Sequence, residues 1–167
     1  PAIENCARRG DPKAIQLPRP LHGTSHCHFS FSGLKTAFAH RHAQFGGASE
    51  FIADFAASLQ AAIADCLADR TKRAMQKFTA MHGPSTLVIA GGVAANETIF
   101  KQLQAEARKA GFSISVPPGY LCTDNAAMIA WAALERRQAP DSLDFAPLPR
   151  WPLDPDAAPP PGHGVRD

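Results

Sequence analysis

A long amphipathic segment between Ser49 and Gly83 constrains the fold of this chain more than any other feature of its sequence. Apolar residues recur there in steps of three and four, and the clearest of them are Phe51, Ile52, Phe55, Leu59, Ile63, Cys66 and Leu67. This spacing predicts an α-helix with one stripe facing a core, and Ser49 is its expected N-cap. At about 1.5 Å per residue the helix would be roughly 50 Å long, so we allow for a kink between residues 69 and 71.

Two short β-rich runs follow the long helix, and each leads through a loop into a further helical pattern. Residues 87–90 predict a strand covered on both faces, because the run is short and uncharged. Residues 112–116 predict a second strand. Asn96 is the expected N-cap of the helix after the first strand, and Thr123 is that of the last helix. A repeated strand, loop and helix favours a parallel, right-handed α/β arrangement.

The two ends of the chain differ from this central region. Residues 1–28 are predicted to be irregular, because prolines and a glycine prevent a long regular element, although Ile3 to Arg9 fit the end of a helix. Residues 29–139 are the predicted α/β domain, which opens with a short strand at residues 29–33 and then a helix. Residues 140–167 are predicted to be an extended tail because they are rich in proline.

Composition argues against two classes of protein and leaves a third open. No apolar run approaches the roughly 20 residues that span a bilayer, and the N-terminal residues do not resemble a secretory signal. The net charge of +2 neither requires nor excludes an RNA partner. The four cysteines include no C-x-x-C pair, which predicts free thiols in a cytoplasmic protein. The chain begins without methionine, which we interpret as the mark of a fragment or of a processed chain.

Two polar loops stand at the starts of predicted helices and are candidate sites. In the first, Gly91 and Gly92 would let a ligand approach the backbone, and the helix that begins near Asn96 offers N–H groups to a phosphate. A plain tight turn capped by Asn96 explains these residues equally well. In the second, Asp124 suits a metal or a phosphate site, although an acid that stabilises the first helical turn is the simpler explanation. Both loops are expected at the same edge of the sheet.

Two other patterns suggest chemistry that we do not assign. His22 and His26 are spaced like a pair of metal ligands, but they would converge only on a helix, and the neighbouring prolines predict a loop. Arg70, Arg73 and Lys77 share one face of the long helix, where they could contact an RNA backbone. A solvated outer face is the commoner explanation for such a group, and it is the one that we adopt.

Five motifs, taken in order, resemble those of the TsaD family, which is also called Gcp or YgjD. They are Pro1 to Glu4 for the end of G-G-P-x-I-E, Phe29 to Thr36 for F-S-F-S-G-L-K-T, Gly91 to Asn96 for G-G-V-x-A-N, Cys122 to Ala130 for C-T-D-N-x-A-M-I-A, and Arg150 to Leu153 for R-W-P-L. The resemblance implies the C-terminal lobe of an actin, Hsp70 and sugar-kinase-like (ASKHA) fold, which is incomplete without its N-terminal half.

The resemblance also implies an acyltransferase that modifies tRNA. Members of the family move a threonylcarbamoyl group from threonylcarbamoyl-adenylate to the exocyclic amine of the adenosine next to the anticodon. The tRNAs concerned read codons that start with A. By the same resemblance, Asn96 contacts the nucleotide, Glu4 lies near its ribose, and Gly91 and Gly92 let the adenylate approach.

For the metal, the resemblance implies that Asp124 is one ligand of a single divalent ion, iron or zinc. The histidine ligands of the family lie upstream of every motif matched here, so His22 and His26 do not take that role. The isolated chain is therefore expected to be inactive, and marginally stable because a partner lobe would cover part of its core.

The implied partners are threonylcarbamoyl-adenylate or an ATP-type nucleotide, tRNA, and the paralogous and ATPase subunits of the threonylcarbamoyl transfer complex, with no membrane. Two alternatives stay open. One is a non-catalytic interaction module derived from the family. The other is an ATP-binding kinase or ATPase of the same superfamily, which would need phosphate loops that the sequence does not show.

Overall fold

The computed structural model describes residues 2–45 and 51–136, and residues 142, 144, 146 and 156 beyond them. The chain forms two compact units, Pro1–Thr123 and Asp124–Asp167. The regular elements of the first unit are helices α1 (Ala2–Ala7), α2 (Ser32–Gln44), α3 (Ile52–His82) and α4 (Glu97–Lys109), strands β1 (Thr86–Val88) and β2 (Ser113–Ser115), and short 3₁₀ helices at Gly92–Ala95 and Gly119–Leu121. Helix α5 (Ala126–Arg136) belongs to the second unit.

Helix α3 is the scaffold of the first unit and confirms the prediction made from the amphipathic pattern. It runs for 31 residues, and it continues through residues 69–71, where its length suggested a kink. The predicted N-cap, Ser49, lies outside the described residues, and the helix begins at Ile52. Two apolar clusters lie along α3, one formed by Ile15, Leu17, Leu34, Phe55 and Ala62 and the other by Ala64, Ile89, Ile99 and Leu103. The helix therefore connects the N-terminal segments to α4 and the strands.

The proline-containing residues 11–28, here called the strap, lie along α3 without forming a helix or a strand. Hydrogen bonds join Asp11 to Asp54, Ile15 to Ser58, Arg19 to Asp65 and Gly23 to Asp69. The partners advance together along the sequence, so the strap and α3 run in the same direction. Proline removes backbone donors and prevents regular strand pairing. The remaining backbone N–H groups of the strap donate to side chains of α3.

Arg70 corrects one prediction, because its side chain is not on a solvated face. It is 1% exposed, and its Nη1 donates to Thr24 Oγ1 and to the His26 carbonyl, both at 2.6 Å. The guanidinium also bonds to the Asp69 carboxylate. Burial alone would raise the pKa of Asp69, but the bonds from Arg70 and from the Gly23 N–H hold it below the usual value. The strap covers Arg70, which sequence spacing could not show.

The two strands form a parallel pair, as the sequence predicted, but only one face of the pair is covered within the described residues. Leu87 pairs with Ile114, and both side chains pack against the apolar clusters below α3 and α4. Val88 is 63% exposed on the other face. The prediction of a strand covered on both faces is therefore wrong for the described residues of the first unit, none of whose elements packs against Val88.

The short strand predicted at residues 29–33 is also wrong. Residues 29–31 are irregular, and the helix predicted to follow begins at Ser32, inside the range predicted as a strand. Phe31 packs against the apolar cluster on α3, and its ring stacks on Phe29 with centroids 6.5 Å apart. The alternation of phenylalanine and serine thus reflects packing of aromatic rings, not pairing of strands.

Helix α5 begins with a different cap from the one predicted. The Asn125 side-chain oxygen accepts from the Met128 N–H at 3.0 Å, so Asn125 caps the helix in the place predicted for Thr123. Ile129, Trp131 and Leu134 are exposed on α5. The predicted tail lies outside the described residues, apart from the four isolated positions. None of the described helices is long and apolar enough to cross a bilayer.

The four cysteines are free thiols, as predicted. Cys66 and Cys122 are buried, whereas Cys6 and Cys27 are partly exposed. Burial raises the pKa of the Cys66 thiol, which keeps it protonated and unreactive.

Candidate functional site

The loop after β1 leads directly into the N-terminus of α4. Gly91 has a φ of +82°, a conformation that favours glycine, and Gly92 opens the short 3₁₀ helix that follows. Asn96 then adopts an extended conformation with φ −80° and ψ 115°. The backbone is thus left-handed at Gly91, 3₁₀-helical from Gly92 to Ala95 and extended at Asn96, after which α4 begins.

Asn96 caps α4 and is itself held by a side chain from α3. Its Oδ1 accepts from the Ile99 N–H at 3.0 Å, which confirms the predicted N-cap. Its Nδ2 donates to Gln60 Oε1 at 2.7 Å. Gln60 in turn donates from Nε2 to Thr98 Oγ1 at 3.0 Å. The cap is therefore part of a network that joins the two helices.

Glu4 reaches the same end of α4 from the other end of the sequence. Its Oε1 accepts from the Glu97 N–H at 2.9 Å, across 93 residues of chain. Residues of α1 pack against α3, where Ala7 contacts Ala56 and Ala57. The structure therefore brings together Glu4 and Asn96, which the sequence singled out separately, beside the loop that contains Gly91 and Gly92.

The close contact of Gly10 with α3 sets the position of α1. A Cβ atom added at Gly10 would lie 2.0 Å from the Ala53 carbonyl oxygen, which is far inside any normal contact. Only glycine allows the chain after α1 to approach the start of α3 so closely. The position of Glu4 at the candidate site depends on this packing.

The charges at this site favour a ligand that donates hydrogen bonds to a carboxylate. The N-terminus of α4 already receives the Glu4 carboxylate, which takes the place where an anion would otherwise bind. The neighbouring Glu97 pairs with Lys101 at 2.7 Å, and this hydrogen bond and charge lower the pKa of Glu97. A hydroxyl-bearing ligand suits Glu4 better than a phosphate would, because a phosphate and a carboxylate repel each other.

Gln60 was not predicted as a functional residue, although it is the polar group that joins Asn96 to α3. A signal exists in the sequence, because a polar residue lies directly beside the apolar stripe of the long helix. Only 8% of Gln60 is exposed in the structure. The helical spacing placed Gln60 at the edge of the stripe, where an exposed or a buried position fits equally well.

Asp124 starts the second unit, and its surroundings do not by themselves form a metal site. It lies beside Asn125 in a shallow depression that is otherwise lined by Ala126, Met128 and Ile129. Among the described residues, no group of three or more His, Cys, Asp or Glu side chains could hold a metal ion. One carboxylate is an incomplete ligand set for iron or zinc. Its predicted place at the same sheet edge as Asn96 stays a prediction.

The histidines of the strap lie in a loop, as predicted. His22 stands in a turn with its Nε2 3.9 Å from Asp69 Oδ1. His26 Nδ1 is buried without a hydrogen-bond partner in the described part of the chain. Burial, followed by the charges of His28 and Arg70, lowers the pKa of His26. The His26 imidazole is therefore neutral and lies near positive charges. We interpret it as part of the packing of the strap and not as a metal ligand.

A groove on the first unit contains none of the predicted site residues. It lies between α3 and the C-terminal end of α4, and its lining residues are Lys72, Gln76, Thr79, Glu106, Lys109 and Ala110. Glu4 and Asn96 are joined to the N-terminus of α4 by hydrogen bonds, whereas the groove is an open depression between two helices.

Comparison with known proteins identifies the family of this chain. The family model described as "TsaD: tRNA N6-adenosine threonylcarbamoyltransferase" matches residues 1–131. A protein of that name from Rhodospirillum rubrum is 52% identical over 170 residues, which cover 98% of this chain and 47% of the relative. Proteins of the same name from Novosphingobium aromaticivorans and Brucella anthropi are 51% and 49% identical over 99% of this chain, and 47% and 48% of their own lengths.

The chain spans about half the length of these curated relatives. The matching region includes Glu4, Gly91, Gly92, Asn96 and Asp124, the residues that carried the resemblance in the sequence. A helix-rich structure with a small parallel sheet is compatible with the ASKHA-like fold of the family. On the extent of these matches, this chain belongs to the TsaD family of tRNA N6-adenosine threonylcarbamoyltransferases.

Proposed function

We propose that this chain contributes nucleotide-contacting residues to a tRNA N6-adenosine threonylcarbamoyltransferase, as the C-terminal lobe of an ASKHA fold. The observation that carries the proposal is the meeting of Glu4 and Asn96 at the N-terminus of α4. Glu4 and Asn96 belong to motifs at opposite ends of the first unit's sequence, and both accept from backbone N–H groups of the first turn of α4. The names of the relatives support the choice of reaction.

In the proposed reaction, a threonylcarbamoyl group passes from threonylcarbamoyl-adenylate to the exocyclic amine of the adenosine next to the anticodon. The amine nitrogen forms a bond to the activated carbonyl carbon, and the bond from that carbon to the AMP phosphate oxygen breaks. AMP leaves, and water takes the proton that the amine releases. The contribution of this chain is to bind and orient the adenylate, which lowers the entropic part of the barrier.

Glu4 and Asn96 have separate roles in this proposal. One carboxylate oxygen of Glu4 is fixed by the Glu97 N–H, which leaves the other oxygen as an oriented acceptor for a ribose hydroxyl. Asn96 uses one Nδ2 hydrogen for Gln60, and its second hydrogen can donate to the adenylate. Gly91 and Gly92 carry no side chain, so the ligand can approach the backbone of their loop.

The same geometry makes a kinase or ATPase the weaker alternative. Enzymes of that type cradle phosphates on free N–H groups at a helix N-terminus. Here the Glu97 N–H is occupied by the Glu4 carboxylate, which would repel a phosphate. A non-catalytic interaction module is the other alternative, and the experiments below separate it from the enzyme.

The remaining parts of the proposal follow from family membership. Asp124 would supply one ligand to a divalent metal, iron or zinc, which the described residues of this chain do not hold on their own. A bound metal would act as a Lewis acid on the donor. The partners would be tRNA and the paralogous and ATPase subunits of the transfer complex, and the place of action would be the cytoplasm, where tRNA is modified.

Titration of AMP into the chain, followed by calorimetry, tests the nucleotide site. We expect measurable binding that falls about tenfold in Asn96→Ala, because the variant loses one hydrogen bond to the ligand. Such a bond contributes about 1.4 kcal/mol, which corresponds to tenfold in affinity. Asn96→Ser is the matched variant, since serine keeps the cap acceptor but lacks the Nδ2 donor. It should keep the cap bond to Ile99 and lose the bond to Gln60, so stability should fall less than in Asn96→Ala while affinity still falls about tenfold. Equal binding by all three proteins would show that the site is wrong.

A chimera tests the reaction itself. This chain would replace the matching segment of the Rhodospirillum rubrum relative, and transfer to tRNA would be measured with labelled threonine in an extract that lacks the relative's own copy. We expect transfer by the chimera and none by the chain alone. A chimera that binds AMP but transfers nothing would favour the interaction module.

A further inference from the structure

Three polar side chains are buried among the described residues of the first unit, and all three lie on α3: Ser58, Gln60 and Arg70. Ser58 accepts from the Ile15 N–H, and Arg70 donates to the strap at His26, so both hold the strap to the helix. Gln60 has no strap partner among its hydrogen bonds and faces α4 instead. Burial of the Gln60 amide carries a desolvation cost, and its bonds to α4 must offset that cost because it makes none to the strap.

The hydrogen bonds of Gln60 fix its orientation at both ends of the amide. Its Oε1 accepts from Asn96 Nδ2 at 2.7 Å, and its Nε2 donates to Thr98 Oγ1 at 3.0 Å. Rotation of the amide by half a turn would place two donors face to face at Asn96. Gln60 is therefore held in one orientation by the residues on both sides of the α4 N-terminus.

The fixed orientation of Gln60 determines which group Asn96 can offer to a ligand. Asn96 Oδ1 is used by the Ile99 N–H, and one hydrogen of Nδ2 is used by Gln60. Within the described residues, Gln60 alone accepts from that nitrogen. Without Gln60 the Asn96 Oδ1 would keep its cap bond, but the amide plane could tilt about that bond and change the direction of its Nδ2 hydrogens.

We propose that Gln60 is a positioning residue, which aims the second Nδ2 hydrogen of Asn96 at the bound nucleotide through a hydrogen bond from within the core. The inference rests on the proposed function, because it assumes that Asn96 contacts the nucleotide. Gln60 itself does not touch the ligand. Its effect on binding passes through Asn96, so the two residues are energetically coupled.

The test is calorimetric titration of AMP into the wild type and into variants of the chain. Gln60→Met keeps the volume of the side chain and removes both hydrogen bonds, and we expect affinity to fall five- to tenfold. Gln60→Glu can still accept from Asn96 Nδ2 and from the Thr98 hydroxyl, so its affinity should fall less than that of Gln60→Met even though it adds a negative charge. Rescue by the conservative variant would not follow from a loss of packing alone.

Gln102→Met is the matched control for general loosening of the two helices. Gln102 also joins α4 to α3, through a bond from its Nε2 to Asp65 Oδ1 at 3.0 Å, but it lies farther along α4 than Asn96. The same substitution there should leave AMP affinity unchanged. An equal loss in Gln102→Met would mean that any weakening between α3 and α4 reduces binding, and the proposal would be overturned.

The double variant Gln60→Met with Asn96→Ser decides whether Gln60 acts through Asn96. Coupled residues give a double variant that binds no worse than Asn96→Ser alone, whereas independent residues give losses that multiply. Multiplied losses, or wild-type affinity in Gln60→Met, would overturn the role of Gln60 and leave the proposed function intact. If Asn96→Ser binds like the wild type, the proposed nucleotide site itself fails, and this inference fails with it.

A second variant covers the case in which Gln60→Met does not fold. Thr98→Val changes an exposed residue and removes the bond that holds the far side of the Gln60 amide. We expect a two- to threefold loss of AMP affinity, which should disappear in the Asn96→Ser background. A Thr98→Val protein that binds AMP as the wild type does would contradict the positioning role.

Discussion

Gln60 and Arg70 are buried polar residues of the same helix, but they hold different parts of the chain. Gln60 joins α3 to the cap of α4, where the candidate site lies. Arg70 joins α3 to Thr24 and His26 of the strap, and its charge is balanced by Asp69. The second Nδ2 hydrogen of Asn96 is neutral and partly exposed, so it can lack a protein partner at modest cost. The buried guanidinium of Arg70 is charged and must be fully paired. The strap region is therefore built for stability, and the α4 end keeps one donor available.

This difference predicts that stability and ligand binding respond to different substitutions. Loss of Arg70 leaves the Asp69 carboxylate and the strap without their partner, so the free energy of unfolding should change most there. Loss of Gln60 changes the orientation of one amide, so affinity should change more than stability.

The largest effect on stability is expected from Arg70→Met. Removing one partner of a buried ion pair typically costs about 3–5 kcal/mol, and the lower end of that range applies here because Asp69 is 15% exposed and keeps its bond from the Gly23 N–H. Urea unfolding at neutral pH would measure the loss, and the folded fraction should bind AMP with the wild-type affinity. Arg73→Met, at a partly exposed position of the same helix, is the control and should change stability by less than about 0.5 kcal/mol. A loss of AMP affinity in Arg70→Met equal to that in Gln60→Met would break the comparison.

A smaller loss is expected from Gly10→Ala, which should affect stability and binding together. The new Cβ would lie 2.0 Å from the Ala53 carbonyl oxygen, so α1 must move away from α3 at a cost of about 1–3 kcal/mol. Glu4 would move with α1 and lose its bond to the Glu97 N–H, so AMP affinity should fall as well. Urea unfolding and AMP titration measure the two effects on the same protein.

Gly33→Ala is the control for that substitution, with the opposite sign. Its Cβ would lie 3.8 Å from Pro20 Cγ, an ordinary contact at the start of α2. Alanine there should stabilise the chain by about 0.4–1 kcal/mol, because it reduces the entropy of the unfolded state. Destabilisation of similar size in both variants would show that the approach of Gly10 to Ala53 is not special.

The smallest effect is expected from the protonation of His26 in the strap. Its pKa in the folded chain is lowered, first by burial and then by His28 and Arg70, from an ordinary value of 6.5. The unfolded chain therefore binds the proton first, so stability falls as the pH drops below 6.5 towards the folded pKa. The free energy of unfolding measured from pH 7.5 to 5.5 should decrease less steeply in His26→Gln than in the wild type. Identical slopes would show that this histidine does not contribute.

Several elements followed from the sequence because their determinants are local. The apolar stripe predicted α3, since the period of a helix is written directly in the residue spacing. Asn96 was predicted correctly as the cap of α4, because a capping side chain bonds to a residue three positions away. The cap of α5 was misplaced by two residues, at Thr123 instead of Asn125, since several polar residues before a helix can serve equally well.

The errors arose where partners distant in sequence decide the outcome. Phe29 and Phe31 alternate with serine like a strand, but no strand among the described residues pairs with them and Phe31 packs on α3. The burial of Arg70 depends on a strap more than forty residues earlier in the chain, which no helical pattern can reveal. Exposure of Val88 likewise depends on which elements pack on the sheet.

The sequence by itself determined the family, the long helix, the parallel pair of strands and the candidate residues Glu4, Gly91, Gly92 and Asn96. Only the tertiary structure decided that Glu4 reaches α4 across 93 residues and that Gln60 holds the Asn96 amide. Motifs and helical periods depend on neighbouring residues, so they can be read along the chain. A hydrogen bond between α1 and α4 depends on how both helices pack against α3, and that packing is a property of the folded chain as a whole.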